Sequence, residues 1–86
     1  MTKKSIRLSN HAREQLQFRG ASEAQVIETI RGEPWQPAAL GRQECRRNFP
    51  FNAEWNSKRY NTKQVRPVFV DESDEIVVVT VYVYFF

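Results

Sequence analysis

The chain has 86 residues, among them one cysteine, one histidine and three glycines, and its longest hydrophobic stretch is the eleven residues at its end. Cys45 alone allows no internal disulfide, and with His11 as the sole imidazole no Cys/His zinc cluster can be assembled. No metal and no cofactor is expected. Gly20, Gly32 and Gly41 form no phosphate-cradling loop, and nothing resembles a nucleophile elbow or a paired-carboxylate site. The terminal stretch is far short of the ~20 residues that a membrane helix needs. The first ten residues carry charge but no apolar signal core. A cytoplasmic protein without a membrane partner is therefore expected. Internal repeats and low-complexity segments are absent, so residues 1–86 read as a single domain, in a size range where oligomerisation often supplies missing burial.

What the chain does have is that final stretch, Ile76-Val-Val-Val-Thr-Val-Tyr-Val-Tyr-Phe-Phe86, β-branched and aromatic throughout. Such residues form strands. A period of two puts Val77, Val79, Val81, Val83 and Phe85 on one face and Ile76, Val78, Thr80, Tyr82, Tyr84 and Phe86 on the other. The aliphatic row calls for a dry partner layer. The row with a hydroxyl and two phenols suits a half-wet groove or an interface.

Charge is distributed unevenly. All thirteen Lys and Arg lie between Lys3 and Arg66, where they meet six acids, a balance of +7; after Arg66 come only Asp71, Glu72, Asp74 and Glu75, a balance of −4. This pattern fits a cationic surface for phosphates and an acidic loop turned away from it.

Ile6 and Leu8 alternate with polar residues, which allows a short edge strand before the first helix. Ser9 or Asn10 supplies an N-cap, His11 to Arg19 contains no Gly, Pro or β-branched residue, and Gly20 stands at an αL stop, so a helix is predicted near residues 10–19. Ala12 and Leu16 share a stripe on it, with Phe18 on the neighbouring row beside His11 and Gln15. Ser22 and Gln25 have capping-box spacing, Val26, Ile27 and Ile30 form an apolar stripe, and a second helix is predicted over 23–31. Glu33 to Gly41, with two prolines, reads as a loop. Gln43, Cys45, Arg47 and Phe49 alternate with polar residues in a strand ending at the turn-prone Asn48-Phe-Pro-Phe-Asn52. A further strand begins near Asn56 and fades by Asn61.

Lys63 to Val70 places Val65, Pro67 and Phe69 on one face, with the proline calling for an edge or a bulge. The loop Asp71–Glu75 makes a hairpin with the last strand. Pairing Val70 with Ile76 sets Phe69 opposite Val77, Pro67 opposite Val79 and Val65 opposite Val81, with Arg66 opposite Thr80 and Gln64 opposite Tyr82 on the other face. The fold class expected is α+β, two N-terminal helices packed on one face of a three- to four-stranded antiparallel sheet.

His11-Ala12, Leu16, Arg19-Gly20, the Ser-capped second helix with Val26, and Val79-Thr80-Val81-Tyr82 together resemble the signature of the domain of unknown function 4258 family, over nearly the whole chain. That family is grouped with the barnase, EndoU, colicin and RelE-like ribonucleases and toxins, so the resemblance implies an RNA-cleaving or RNA-binding role, including one in a toxin–antitoxin system. One position departs: Gln15 stands where such domains often carry Arg.

Metal-independent RNA cleavage needs a base for the 2′-hydroxyl, an acid for the leaving oxygen, and donors that hold the phosphate as charge builds on it. His11 is the candidate acid or base. Arg66 and Thr80 can meet the phosphate, and Tyr82 can give a proton or stack on a base. Arg46, Arg47, Lys58 and Arg59 are candidate RNA-binding cations. Phe49, Phe51, Trp55 and Tyr60 are interleaved with those cations, as on a single-strand platform; the plain alternative is that they close the core. Cys45 reads as core.

A second reading is a non-catalytic interaction domain whose Tyr82/Tyr84 face builds a homodimer or holds a protein partner. The long last strand is expected to outrun its neighbours, so that a homodimer buries Tyr84, Phe85 or Phe86.

Overall fold

In the computed structural model, which describes residues 4–86, the two helices start where the serines put them. After β1 (Ser5–Leu8), the Ser9 hydroxyl accepts from the Ala12 N–H at 3.1 Å and opens α1 (Asn10–Arg19), which ends at Gly20 with φ 76°. Ser22 and Gln25 form a complete capping box at the start of α2 (Glu23–Gly32). Both caps are local, which is why the sequence predicts them well.

The strands that follow are β2 (Gln36–Pro37), β3 (Gln43–Glu44), β4 (Arg47–Trp55), β5 (Lys58–Asp71) and β6 (Glu75–Phe85). They form one six-stranded sheet in the order β1-β6-β5-β3-β2, with β4 also paired to β5. The fold is α+β, but the sheet has more strands than the three or four expected and is mixed, because β1 runs parallel to β6 with Leu8 beside Val78. A parallel pair needs a long crossover and leaves no local turn signal, so the sequence could not reveal it.

The Gln43–Phe49 stretch is two strands broken at Cys45–Arg46, and Pro67 of β5 lies opposite that break. The proline's missing N–H falls where the ladder is interrupted, while its carbonyl accepts from the Cys45 N–H at 3.4 Å. The turn expected at Asn48–Asn52 is instead continuous strand with an irregularity between Pro50 and Ala53, where Asn52 has φ 48°. The true hairpin turn is Asn56-Ser57, with φ 52° and 66°. Two consecutive positive φ values match the twist of the strands on either side.

The β5–β6 register also differs from expectation. Phe69 pairs with Val78, Pro67 with Val81 and Val65 with Val83, while Arg66 pairs with Tyr82 and Gln64 with Tyr84. Between Val68/Thr80 and Phe69/Val78 the register shifts, leaving Val79 as an extra residue. A bulge reverses the alternation. Ile76 and Val78 face the core before it and Val81 after it, so the expected unbroken row through Val77 and Val79 does not exist.

The helices cover one face of this sheet, α1 over β6 and α2 over β5. Ala12, Val26 and Ile30 meet Leu8, Val65, Phe69, Ile76, Val78 and Val81. Cys45 is buried with them, its thiol 3.6 Å from the Thr29 carbonyl and pushed up to about 12 by burial, with Glu33 and Glu44 adding to the effect. Phe18, placed by sequence beside the buried stripe of α1, is 80% exposed. No helix among the described residues is long and apolar enough to cross a membrane.

At the far end of β6 the rings of Phe51, Trp55 and Tyr60 gather on Phe85, with Trp55 stacked at 5.0 Å. β6 outruns β1 but not β5, which is longer still and exchanges backbone hydrogen bonds with Phe86 through Thr62. Phe85 is thus covered within the chain. Lys63 is buried beneath this cluster, its ammonium donating to the Gly20 carbonyl at 2.8 Å, and burial lowers its pKa. Gly20 has a double reason to be glycine: its φ is positive, and a Cβ there would lie 2.8 Å from the Trp55 ring.

Candidate functional site

The chemistry collects along the second half of β6. Beyond Val78 the strand has no neighbouring strand on the β1 side among the described residues, because the chain turns at Ser9 into α1 after donating to the Val78 carbonyl. Two α1 side chains take the place of the missing strand. The Gln15 amide oxygen accepts from the Val81 N–H at 2.9 Å, and the Arg19 guanidinium donates to the Val81 carbonyl at 2.6 Å. The same Gln15 oxygen accepts from the Thr80 hydroxyl at 2.8 Å. An arginine at position 15 could donate but not accept, so glutamine here has a structural reason.

On the face away from the helices, Tyr82 and Tyr84 are 38% and 43% exposed. Guanidinium carbons of Arg19 and Arg66 lie 5.4 and 5.3 Å from the centre of the Tyr82 ring, within cation–π range. Arg66 also donates to the Tyr84 hydroxyl at 3.3 Å and to the Glu44 carboxylate at 2.8 Å. The Glu44 hydrogen bond raises the Arg66 pKa further and holds it charged. The buried Arg66 Nε has no partner among the described residues. A cleft of about 180 Å³ opens here, lined by Arg42, Glu44, Arg66, Thr80 and Tyr82 among others. A second, of about 300 Å³, lies on the other side of Tyr82 between Phe18, Arg19, Trp55 and the end of β6.

No protein-family model, no curated protein and no solved structure matches this chain. Function must therefore be read from these two clefts and the ring between them.

Of the residues singled out by sequence, Arg66, Thr80 and Tyr82 come together in the smaller cleft. His11 does not line it; it is exposed on the first turn of α1, one turn before Gln15. Arg46 leans toward Glu44 at 3.8 Å, whereas Arg47 turns to the opposite face and meets Glu28 and Glu33 near the C-terminal end of α2. A cation suits that negative helix end. Lys58 and Arg59 follow the hairpin turn at the start of β5, Lys58 5.8 Å from the Tyr60 ring centre and Arg59 donating to the Asn52 carbonyl.

Ion pairs further reduce the free positive charge. Carboxylates take up Lys4, Arg7, Arg13, Arg46, Arg47 and Arg66, while Arg19, Arg31, Arg42, Lys58, Arg59 and Lys63 have none among the described residues, Arg31 and Lys63 donating instead to backbone carbonyls. Gln15, Arg19, Arg42 and Glu44 were not singled out as site residues from sequence. A signal did exist for two of them: His11, Gln15 and Arg19 repeat every four residues and form a polar stripe on one helix face. No metal-binding cluster of three or more His, Cys, Asp or Glu occurs among the described residues.

Proposed function

We propose that this chain is a small RNA-directed protein that holds single-stranded RNA across the Tyr82–Tyr84 face of β6. The observation that carries this reading is the partly exposed Tyr82 ring with the guanidinium groups of Arg19 and Arg66 both over it and Arg42 in the adjoining cleft. An aromatic surface accepts any base by its π-face, and arginines beside it meet the phosphates. The likeness to the domain of unknown function 4258 extends the proposal to the toxin type of metal-independent ribonuclease, acting in the cytoplasm as one half of a toxin–antitoxin pair. In that extension His11 supplies the acid–base step. Support is stronger for binding than for cleavage, since His11 stands outside the cleft of Arg66 and Thr80.

The test is binding of a short single-stranded RNA at several salt concentrations. Log affinity is expected to fall against log salt with a slope of about −0.7 per phosphate neutralised. Tyr82→Ala should cost about 1–3 kcal/mol of binding if a base stacks there, and Arg42→Ala should flatten the salt slope. His11→Ala should leave binding intact and lower cleavage by roughly 10²- to 10⁴-fold. Binding that ignores salt and Tyr82 would refute the reading.

A second reading has its own observation. Tyr82, Tyr84 and Phe86, the last 58% exposed, form an apolar stripe along β6, the kind of surface that a homodimer or a protein partner covers. A mass measurement by light scattering across micromolar concentrations separates a dimer from a monomer.

A further inference from the structure

Most edges of this sheet are guarded against pairing with another chain. β1 is four residues long and carries Arg7, β2 is two residues long and ends in Pro37, and β4 combines Pro50, an irregular stretch and Glu54. Short strands, charges, prolines and bulges are the usual means of blunting an edge. Beyond Val81, β6 has none of them: Tyr82-Val-Tyr-Phe-Phe86 has no charged side chain and no proline.

Because Val81 points its N–H and carbonyl outward, to Gln15 and Arg19, strand alternation points those of Val83 and Phe85 outward as well. They meet no partner among the described residues. Beside them runs the larger groove, about 300 Å³, with Val83 and Phe85 along it and Phe18 and Trp55 as further lining.

Charge identifies what fits. Arg19 stands at the Val81 end, and beyond Phe86 the longer β5 carries the edge on to Arg59 and Lys58. A second copy paired across a two-fold axis at Tyr84 would bring like charges together. An acidic extended chain would meet opposite charges at both ends. We propose that the β6 edge at Val83–Phe85 binds an acidic, extended polypeptide segment as an added antiparallel strand, with an apolar side chain in the groove beside Phe18 and Trp55. This uses the edge of the strand and does not depend on RNA binding to its face.

The probe is a capped peptide of alternating Glu and Val, added to the full-length protein while amide hydrogen exchange is followed by NMR. At about ten times the peptide's Kd, exchange at Val83 and Phe85 should slow by about tenfold, with little change at Val78. Val83→Pro removes one outward N–H without touching the β5 ladder and should abolish the slowing. A peptide N-methylated on the pairing amides should fail on the unaltered protein, which keeps the test valid should Val83→Pro misfold. The proposal is overturned if about 1 mM peptide protects neither amide, if the Lys-for-Glu peptide protects them equally, or if N-methylation makes no difference. It is also overturned if protection already grows with protein concentration alone, which would mean a second copy, or if single-stranded RNA protects these amides and the peptide does not.

Discussion

The two halves of β6 are made of the same kinds of residue and are held in place by different means. From Glu75 to Val78 the strand lies between β1 and β5, Ile76 and Val78 are buried, and the charges around it are paired, Lys4 with Asp71 and Arg7 with Glu75. From Thr80 to Phe85, among the described residues, β5 alone accompanies it, its outer edge is met at Val81 by two helix side chains, its tyrosines are exposed, and nearby Arg19, Lys58 and Arg59 have no carboxylate. Two of the four carboxylates of the acidic loop expected to face away from the cations, Asp71 and Glu75, are thus paired with Lys4 and Arg7 of the N-terminal segment. The basic end is left with its charge. A β-branched run specifies a strand, but its neighbours decide whether that strand becomes core or surface.

The largest effect should come from a charge in the closed half. An unpaired buried carboxylate costs on the order of 3–5 kcal/mol, against a net stability of about 5–15. Val78→Asp should therefore remove a large part of the stability and lower the midpoint of the urea transition steeply, followed by circular dichroism. Val79→Asp, at the half-buried bulge, should lower the midpoint much less. Equal loss from both would break the distinction between bulge and core.

Next comes Gly20→Ala, which strains the backbone and presses on Trp55 beneath the open half. A loss of about 1–3 kcal/mol is expected, together with a shift in Trp55 fluorescence. An unchanged Tm would mean that the aromatic cluster is looser than its contacts imply.

Gln15→Leu leaves the Val81 N–H without its acceptor, and a cost of about 1–3 kcal/mol is expected for a buried donor, less if water reaches it. Hydrogen exchange should quicken at Val81 and remain slow at Val78. Similar acceleration at both would show that the two halves open together.

The smallest effect should appear in acid. Arg7, chiefly through its hydrogen bond, holds the Glu75 pKa below the ordinary carboxylate value. A carboxylate with a depressed folded pKa adds stability that is present above the unfolded value and is lost as pH falls through the folded one. Acidification below the unfolded glutamate value of about 4.3 should loosen the closed half through this pair, and Arg7→Ala should remove that part of the pH dependence. The pair is exposed, so the change will be slight.

Much of the scaffold was legible in the sequence because its signals are local. Ser9, Gly20, Ser22 and Gln25 act within one helical turn, and their roles as caps follow from side-chain chemistry. The face shared by Val65, Pro67 and Phe69 was legible too, being a run without a bulge of its own. What was missed depends on distant partners. Pro50 looked like a turn, yet it lies within β4. Phe18 lay on the row next to the apolar stripe by helical position, yet it is exposed at the rim of the groove beside the end of β6. Val79 passed as one more core valine because nothing in the residue marks a bulge.

The candidate site divides in the same way. That Thr80, Tyr82 and Tyr84 share a chemically distinct strand face, and that Arg66 lies beside them on the partner strand, follows from period-two alternation alone. Which cations remain free does not, because it depends on Glu44 reaching Arg66 and on Glu28 and Glu33 reaching Arg47. The sequence by itself determined two capped helices, a terminal strand and an excess of positive charge before Arg66, since each is a property of neighbouring residues. Only the tertiary structure decided that β1 pairs with β6 as far as Val78 and no farther, leaving Gln15 and Arg19 to hold the edge at Val81. The physical reason is that a strand edge is closed by whatever donors and acceptors the rest of the fold brings within hydrogen-bond reach, and their arrival is fixed by packing across dozens of residues.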